Sequence, residues 1–327
     1  MRCERGHPIR GNFATAALNS DKDIVASQSA PYASTAPQIC ATSLQQPAQC
    51  GRVFGPDFFI IGAMKAGTTT LSRYLAQFAE IGISRTKETD YFILEKNYSL
   101  GEAWYQGQFD LSRQLIGEAS PNYTKCDIFR GVPERIAGVV PDAKFLFIVR
   151  DPVARFASHY RHSWSHGHMQ VKPMDLLASD QGRHMVECSR YAAQINQYLA
   201  HFDQHQILFL DFDELCETPQ HVGDQVADFL GIDHRAMQPE LAANTADQIA
   251  KVPGVLKRAA RSSVVRRLDR FIPKAARELV HAAFSLRKPA APPALGSALL
   301  DEVADLLRAD ARRFREIAGK EFAQWRV

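Results

Sequence analysis

The sequence predicts an α/β protein in three layers, a central parallel sheet with helices on both faces. Short, wholly apolar runs of strand length recur, as at Phe58 to Ile61 and Phe145 to Val149. Strands covered on both faces read this way, whereas half-exposed strands alternate apolar and polar residues. Between such runs lie segments with apolar residues four apart, such as Leu71 and Leu75, the spacing of a helix face. Strands alternating with helices along a chain build parallel pairs joined by helical crossovers.

Residues 1–55 are rich in Ala, Ser, Gln, Pro and Thr and carry no sustained period, so they are expected to be a disordered or loosely attached extension before a domain at 56–327. The first strand is expected near 57–62 and its helix near 68–79. Further strands are expected near 114–118, 144–149 and 206–210. Further helices are expected near 133–139, 152–164, 189–202 and 219–230. Pro152 suits a helix start, where a backbone N–H would go unbonded anyway. The stretch 284–297, with Pro289, Pro292 and Pro293, reads as a loop, and a final amphipathic helix runs from about 298 to 317. No internal repeat is found.

Composition narrows the function classes. The chain has 327 residues, 46% hydrophobic and 23% charged, an ordinary globular balance. A formal charge of +3 is too small to point to nucleic acid as the partner. Basic residues cluster from Lys251 to Arg270, including Lys257, Arg258, Arg261, Arg266 and Arg267. Such a run is ordinarily a solvated helix face, and it also suits a strongly anionic ligand. Cysteines stand at 3, 40, 50, 126, 188 and 216 with no CxxC, which suits a reducing compartment and argues against a disulfide framework. No run of about 18 apolar residues suggests a membrane span, and the first 20 residues lack the apolar core of a secretory signal. A cytoplasmic location is the expectation.

Two segments carry the chemistry. The strand ending at Gly62 runs into Lys65-Ala66-Gly67-Thr68-Thr69-Thr70 and then a helix. The first N–H groups of a helix have no intrahelical partner and its dipole favours an anion, so this turn is a phosphate cradle with Lys65 adding a full charge. The GxxxxGK[ST] signature is absent, because the lysine precedes the glycine and no Lys-Ser/Thr pair is set to hold magnesium. Downstream, Arg150 follows the strand Phe145 to Val149, where open α/β sheets place ligand-binding groups. Ser158 lies eight residues on, about two helical turns away.

The order Lys-Ala-Gly-Thr-Thr after an apolar strand resembles the 5′-phosphosulfate loop of sulfotransferases that use 3′-phosphoadenosine 5′-phosphosulfate (PAPS). Arg150-Asp151-Pro152, Arg155, Ser158 and Tyr160 are similar to the family's 3′-phosphate segment. Gly117-Glu118-Ala119-Ser120-Pro121-Asn122-Tyr123 looks like a segment of its carbohydrate-type and bacterial branches, which include heparan sulfate sulfotransferase domains. Golgi heparan sulfate 3-O-sulfotransferases carry a lysine where this chain has Ala119, a departure that weighs against a heparan-like polyanionic acceptor. The resemblance covers roughly residues 57–231 and loosens beyond Asn244. It implies a P-loop-like fold with PAPS as cosubstrate and 3′-phosphoadenosine 5′-phosphate (PAP) as product, and the motifs require no metal. It implies Lys65, Ala66, Gly67, Thr68, Thr69, Thr70, Arg150 and Ser158 as cofactor-binding residues, with Lys65 also catalytic.

Arg85-Thr86-Lys87-Glu88-Thr89-Asp90-Tyr91-Phe92 resembles the Lys-Glu-x-x-Phe-Phe segment that carries the family's general base, which makes Glu88 the candidate and Asp90 its neighbour in contention. Read without the family, Glu88 is a loop acid paired with Lys87. His159, His162, His166 and His168 crowd one segment without a clean ligand spacing, and with Trp164 they are expected to wall the acceptor cleft. Tyr191 is expected in the core or at the acceptor. Lys251, Lys257 and Arg258 are candidates for a loop that closes over the cofactor. The expected reaction is sulfuryl transfer from PAPS to a hydroxyl of a carbohydrate or glycolipid. A small lipid, phenolic or amine acceptor, a non-catalytic PAP-binding module and a nucleotide kinase are the alternatives.

Overall fold

In the computed structural model, residues 55–169, 171–237 and 291–327 are described. The expectations for 1–54 and for the basic cluster at 251–270 lie outside the described residues. Five strands form one sheet: β1 (Phe58–Gly62), β2 (Ile81–Ile83), β3 (Leu115–Ala119), β4 (Lys144–Val149) and β5 (Ile207–Asp211). Their order is β2-β3-β1-β4-β5, and every pairing is parallel. Among the described residues the helices are α1 (Thr68–Leu75), α2 (Gly101–Gln106), α3 (Val132–Ala137), α4 (Pro152–Ser165), α5 (Asp180–Glu187), α6 (Tyr191–Leu199), α7 (Phe212–Glu217), α8 (Pro219–Leu230) and α9 (Ser297–Ala318).

The pleat sorts the strand side chains into two cores, because successive residues of a strand point to opposite faces. Phe59, Ile61, Phe145, Phe147 and Val149 pack on one face against Ile136 of α3, Tyr191 and Ile195 of α6 and Phe314 of α9. Phe58, Ile60, Leu146, Ile148 and Leu210 pack on the other face against Leu71 and Leu75 of α1 and Val222 and Val226 of α8. The wholly apolar runs are therefore strands with both faces covered. At Gly117 of β3 a Cβ would stand 2.2 Å from the Phe58 ring, so that position must be glycine for β1 and β3 to pair as they do.

Chain order reverses around β1. The chain runs from β1 out to β2, back to β3 and then across to β4 on the other side of β1. Helix α1, leaving β1, lies in the second core, whereas α4, leaving β4, packs with α5 and α9 through Phe156, Met185 and Leu307. Divergence of the helices that follow neighbouring strands opens a crevice at the carboxyl ends, the site where such sheets bind ligands.

The strands expected from sequence are present, with β2 added at the edge. It has three residues, one of them Gly82, which weakens any strand signal. Helix α1 stops at Leu75 rather than near 79, because the chain needs the intervening residues to turn into β2. The helix expected at 189–202 spans Tyr191–Leu199, and the last helix covers Ser297–Ala318. Helices α2, α5 and α7 have eight residues or fewer, too short to establish a period in the sequence. Among the described residues no helix is long and apolar enough to cross a membrane.

Candidate active site

The crevice begins at the turn between β1 and α1. Gly67 is the N-cap of α1 with φ of +97°, and a Cβ there would stand 2.9 Å from Phe212 Cδ2 and 3.1 Å from Leu215 Cδ2. Both the backbone angle and the close contact demand glycine. No side chain caps α1, and no acid sits in its first turn. The leading N–H groups at Thr68, Thr69 and Thr70 are thus left for an outside acceptor. Helix α4 differs, because the Asp151 carboxylate accepts from Ala154 N at 2.6 Å and closes that end.

Lys65 holds a φ of +73°, a left-handed conformation that costs a residue with a Cβ about 1–2 kcal/mol. Its Nζ donates to His162 Nδ1 at 3.3 Å, so the His162 proton belongs on Nε2. Burial, followed by the charges of Lys87, Arg150, Arg155 and Arg161, lowers the Lys65 pKa. Burial and the Lys65 charge likewise hold the His162 pKa down to about 3, which keeps the ring neutral and able to accept. A lysine that faces other cations and leans on a neutral imidazole is arranged to meet an anion.

Arg150 follows β4, the neighbour of β1, so the two basic turns emerge from adjacent strand ends. Its guanidinium stacks on the Phe212 ring at 4.8 Å from the centroid, and its carbonyl accepts from the Tyr191 hydroxyl at 2.9 Å. Asp151 does not take this arginine: its other oxygen accepts from Arg326 N at 2.7 Å. Ser158 is half-buried on α4 one turn before His162, on the same helix face. Arg155 has a different task. It is fully buried and donates to Ser189 Oγ at 2.7 Å and to the Met185 carbonyl at 2.6 Å, which clasps α4 to the α5–α6 corner.

The candidate base lies in the segment after β2. Glu88 has φ of +59°, its side chain is 39% exposed, and Lys87 Nζ lies 3.3 Å from its carboxylate. Asp90 is buried, and its carboxylate accepts from Lys96 Nζ and from Asn122 Nδ2 at 2.9 Å. Those donors occupy Asp90 and leave Glu88 as the accessible carboxylate. Thr89, between them, is anchored from below: its hydroxyl donates to Glu118 Oε2 at 2.7 Å, beside the Tyr105 hydroxyl at 2.5 Å. Glu118 is fully buried, and burial raises its pKa despite these hydrogen bonds. Its segment thus serves as the floor that holds Glu88. Lys125, at the end of the following turn, has its pKa lowered by burial and feels the Glu88 charge in the opposite sense.

Sequence reasoning missed the Lys65–His162 contact and the Glu118 anchor. The histidines divide: His159 lies 3.3 Å from the Arg155 guanidinium, whereas His162 meets Lys65 and continues through the tilted His166 ring at 4.1 Å to the His168 ring, 6.2 Å beyond. Trp164 packs near Tyr160 at 5.9 Å. Tyr191 is core, enclosed by Phe147, Phe314 and Trp325, and it reaches Arg150 rather than the acceptor side. Lys251, Lys257 and Arg258 lie outside the described residues.

A family model described as a sulfotransferase domain matches residues 55–253. The chain is similar to the mouse bifunctional heparan sulfate N-deacetylase/N-sulfotransferase 4, with 31% identity over 201 residues, 54% of this chain and 22% of the relative. It is also similar to the mouse heparan sulfate glucosamine 3-O-sulfotransferase 6, with 28% identity over 198 residues, 56% of this chain and 54% of that one. The chain thus spans between about a fifth and about half the length of these curated relatives. The crystal structure of a sulfotransferase from Alicyclobacillus acidocaldarius shares its fold, with a TM-score of 0.60 and 23% identity, covering 84% of this chain and 100% of that one.

Proposed function

The chain belongs to the sulfotransferase-domain family and is a sulfotransferase, and from that premise we propose that it moves a sulfuryl group from PAPS to a hydroxyl on a carbohydrate or glycolipid, releasing PAP. The observation that carries this reading is the pair of anion-ready turns on neighbouring strands β1 and β4. One offers Lys65 and an uncapped helix start, and the other offers Arg150 with Ser158 behind it. Two separate basic sites fit a nucleotide with phosphate at both its 5′ and 3′ positions. When bound, PAPS supplies a sulfuryl group on a phosphate leaving group.

The protein's part is positional and electrostatic. Lys65 and the N–H groups of Thr68, Thr69 and Thr70 would receive the 5′-phosphosulfate, while Ala66 and Gly67 let the backbone approach. Lys65 Nζ would neutralise charge on the oxygen bridging phosphorus and sulfur, and neutral His162 steers that ammonium without competing for its charge. Arg150 and Ser158 would hold the 3′-phosphate. Glu88 would take the acceptor proton through its carboxylate. An amine acceptor is a second reading, favoured by the N-sulfotransferase activity in the name of the mouse relative at 31% identity.

The testing experiment is a panel of hydroxyl and amino sugars, glycolipids and phenols incubated with labelled PAPS. The expected result is label on a hydroxyl sugar, matched by PAP release. Label confined to amino sugars would move the acceptor to nitrogen. Thermal stabilisation by ATP–magnesium and not by PAP would contradict the donor assignment.

A further inference from the structure

Beside α4, where the His159 ring meets that of His184 at 5.8 Å, three side chains from two separate segments converge. Asp127 follows the turn that carries Lys125, His184 lies on α5, and Cys188 caps the end of α5. Cys188 Sγ lies 3.4 Å from His184 Nε2 and 3.8 Å from Nδ1, and Nδ1 lies 2.6 Å from Asp127 Oδ2. One donor atom from each residue falls within 4.8 Å of the other two. We propose that Cys188, His184 and Asp127 form a binding site for a zinc ion.

The donor chemistry selects the ion. A thiolate with an imidazole favours zinc over the hard cations magnesium and calcium, which take oxygen ligands. Zinc–sulfur and zinc–nitrogen distances of about 2.3 and 2.0 Å with tetrahedral angles put the two donor atoms about 3.5 Å apart. With Nδ1 as the ligating nitrogen, its observed separation from Sγ is 3.8 Å, close to that value. The Asp127–His184 contact is shorter than the roughly 3.3 Å expected of two zinc ligands, since it is a hydrogen bond, and it opens when the ion replaces the proton. His184 and Cys188 are four apart, so the helix sets their spacing. Asp127 side-chain atoms are 22% exposed, and the residue lines a cavity of about 330 Å³ with Cys126 and Glu187. The partial exposure of the His184 and Asp127 side chains, 23% and 22%, gives an ion a way in and leaves solvent to supply the fourth ligand. The bound ion would staple the loop carrying Lys125 to α5.

The test is a titration of the chelator-stripped full chain with cobalt(II), followed by displacement with zinc. Saturation at one equivalent, with a thiolate-to-cobalt charge-transfer band and tetrahedral visible bands that zinc abolishes, is expected. Cys188→Ser should eliminate the charge-transfer band, whereas Cys126→Ser and Cys216→Ser should keep it. His184→Gln should weaken zinc binding more than about 100-fold, and Asp127→Asn about 10- to 100-fold. Absence of a stoichiometric band in the unmodified chain overturns the proposal. So does unchanged zinc affinity in folded His184→Gln protein, which decides the matter even if Cys188→Ser fails to fold.

Discussion

Adding one methyl group at Gly67 should disturb both phosphate turns at once. In Gly67→Ala the backbone must hold φ near +97°, beyond the usual left-handed region, at a cost of about 1–2 kcal/mol. The new Cβ would stand 2.9 Å from Phe212 Cδ2 and 3.1 Å from Leu215 Cδ2. Carbon atoms rest about 3.5–4.0 Å apart, so the Phe212 ring has to retreat by roughly half an ångström or more. Overpacking of this kind costs about 1–3 kcal/mol, which brings the expected destabilisation to about 2–5 kcal/mol. The Phe212 ring also supports the Arg150 guanidinium at 4.8 Å. Displacing it should weaken PAP binding about tenfold, equivalent to about 1.4 kcal/mol. Urea unfolding reads the first quantity and calorimetric titration with PAP reads the second. A Gly67→Ala protein within about 0.5 kcal/mol of the parent, with unchanged PAP affinity, would refute the coupling of the turns through Phe212.

Other outcomes follow from the same geometry. Glu118→Ala strands the buried hydroxyls of Thr89 and Tyr105 and should cost about 3 kcal/mol in urea melts, whereas Glu118→Gln, which keeps an acceptor there, should cost about 1 kcal/mol or less. Glu88→Gln should lower kcat by about 10²- to 10⁴-fold with PAP affinity retained, while Asp90→Asn should lower stability more than kcat; the reverse pattern would make Asp90 the base. His162 should titrate near pH 3 in the free protein by NMR, and its pKa should rise when PAP brings negative charge beside Lys65. Because the unfolded chain binds this proton more readily, the His162 contribution to stability is complete above about pH 6.5 and declines as pH falls from there toward 3.

What the sequence disclosed was local. The runs at Phe58 to Ile61 and Phe145 to Val149 read as strands because both of their faces are covered, and the Lys65 and Arg150 turns read as basic because each is complete within a few residues. The family resemblance put Glu88 ahead of Asp90, but that Lys96 and Asn122 close over the Asp90 carboxylate was not legible. His162 belongs to Lys65 only because β1 and β4 are neighbours, which sets side chains 97 positions apart in contact. Asp127 joins His184 and Cys188 by the same kind of non-local folding. Edge strand β2 escaped notice because three residues containing a glycine carry almost no pattern.

The most direct measurement compares PAP with adenosine 5′-monophosphate as ligands for the parent chain and for Arg150→Ala. The 3′-phosphate is the only difference between these two nucleotides, and Arg150 is assigned to it. Charge-assisted hydrogen bonds of about 1.5–3 kcal/mol predict that the parent prefers PAP by roughly tenfold to a hundredfold or more. In Arg150→Ala that preference should collapse toward one, with affinity for the monophosphate little changed. A preference for PAP that survives Arg150→Ala intact would contradict the assignment of the β4 turn to the 3′-phosphate, and with it the reading of the crevice as a PAPS site.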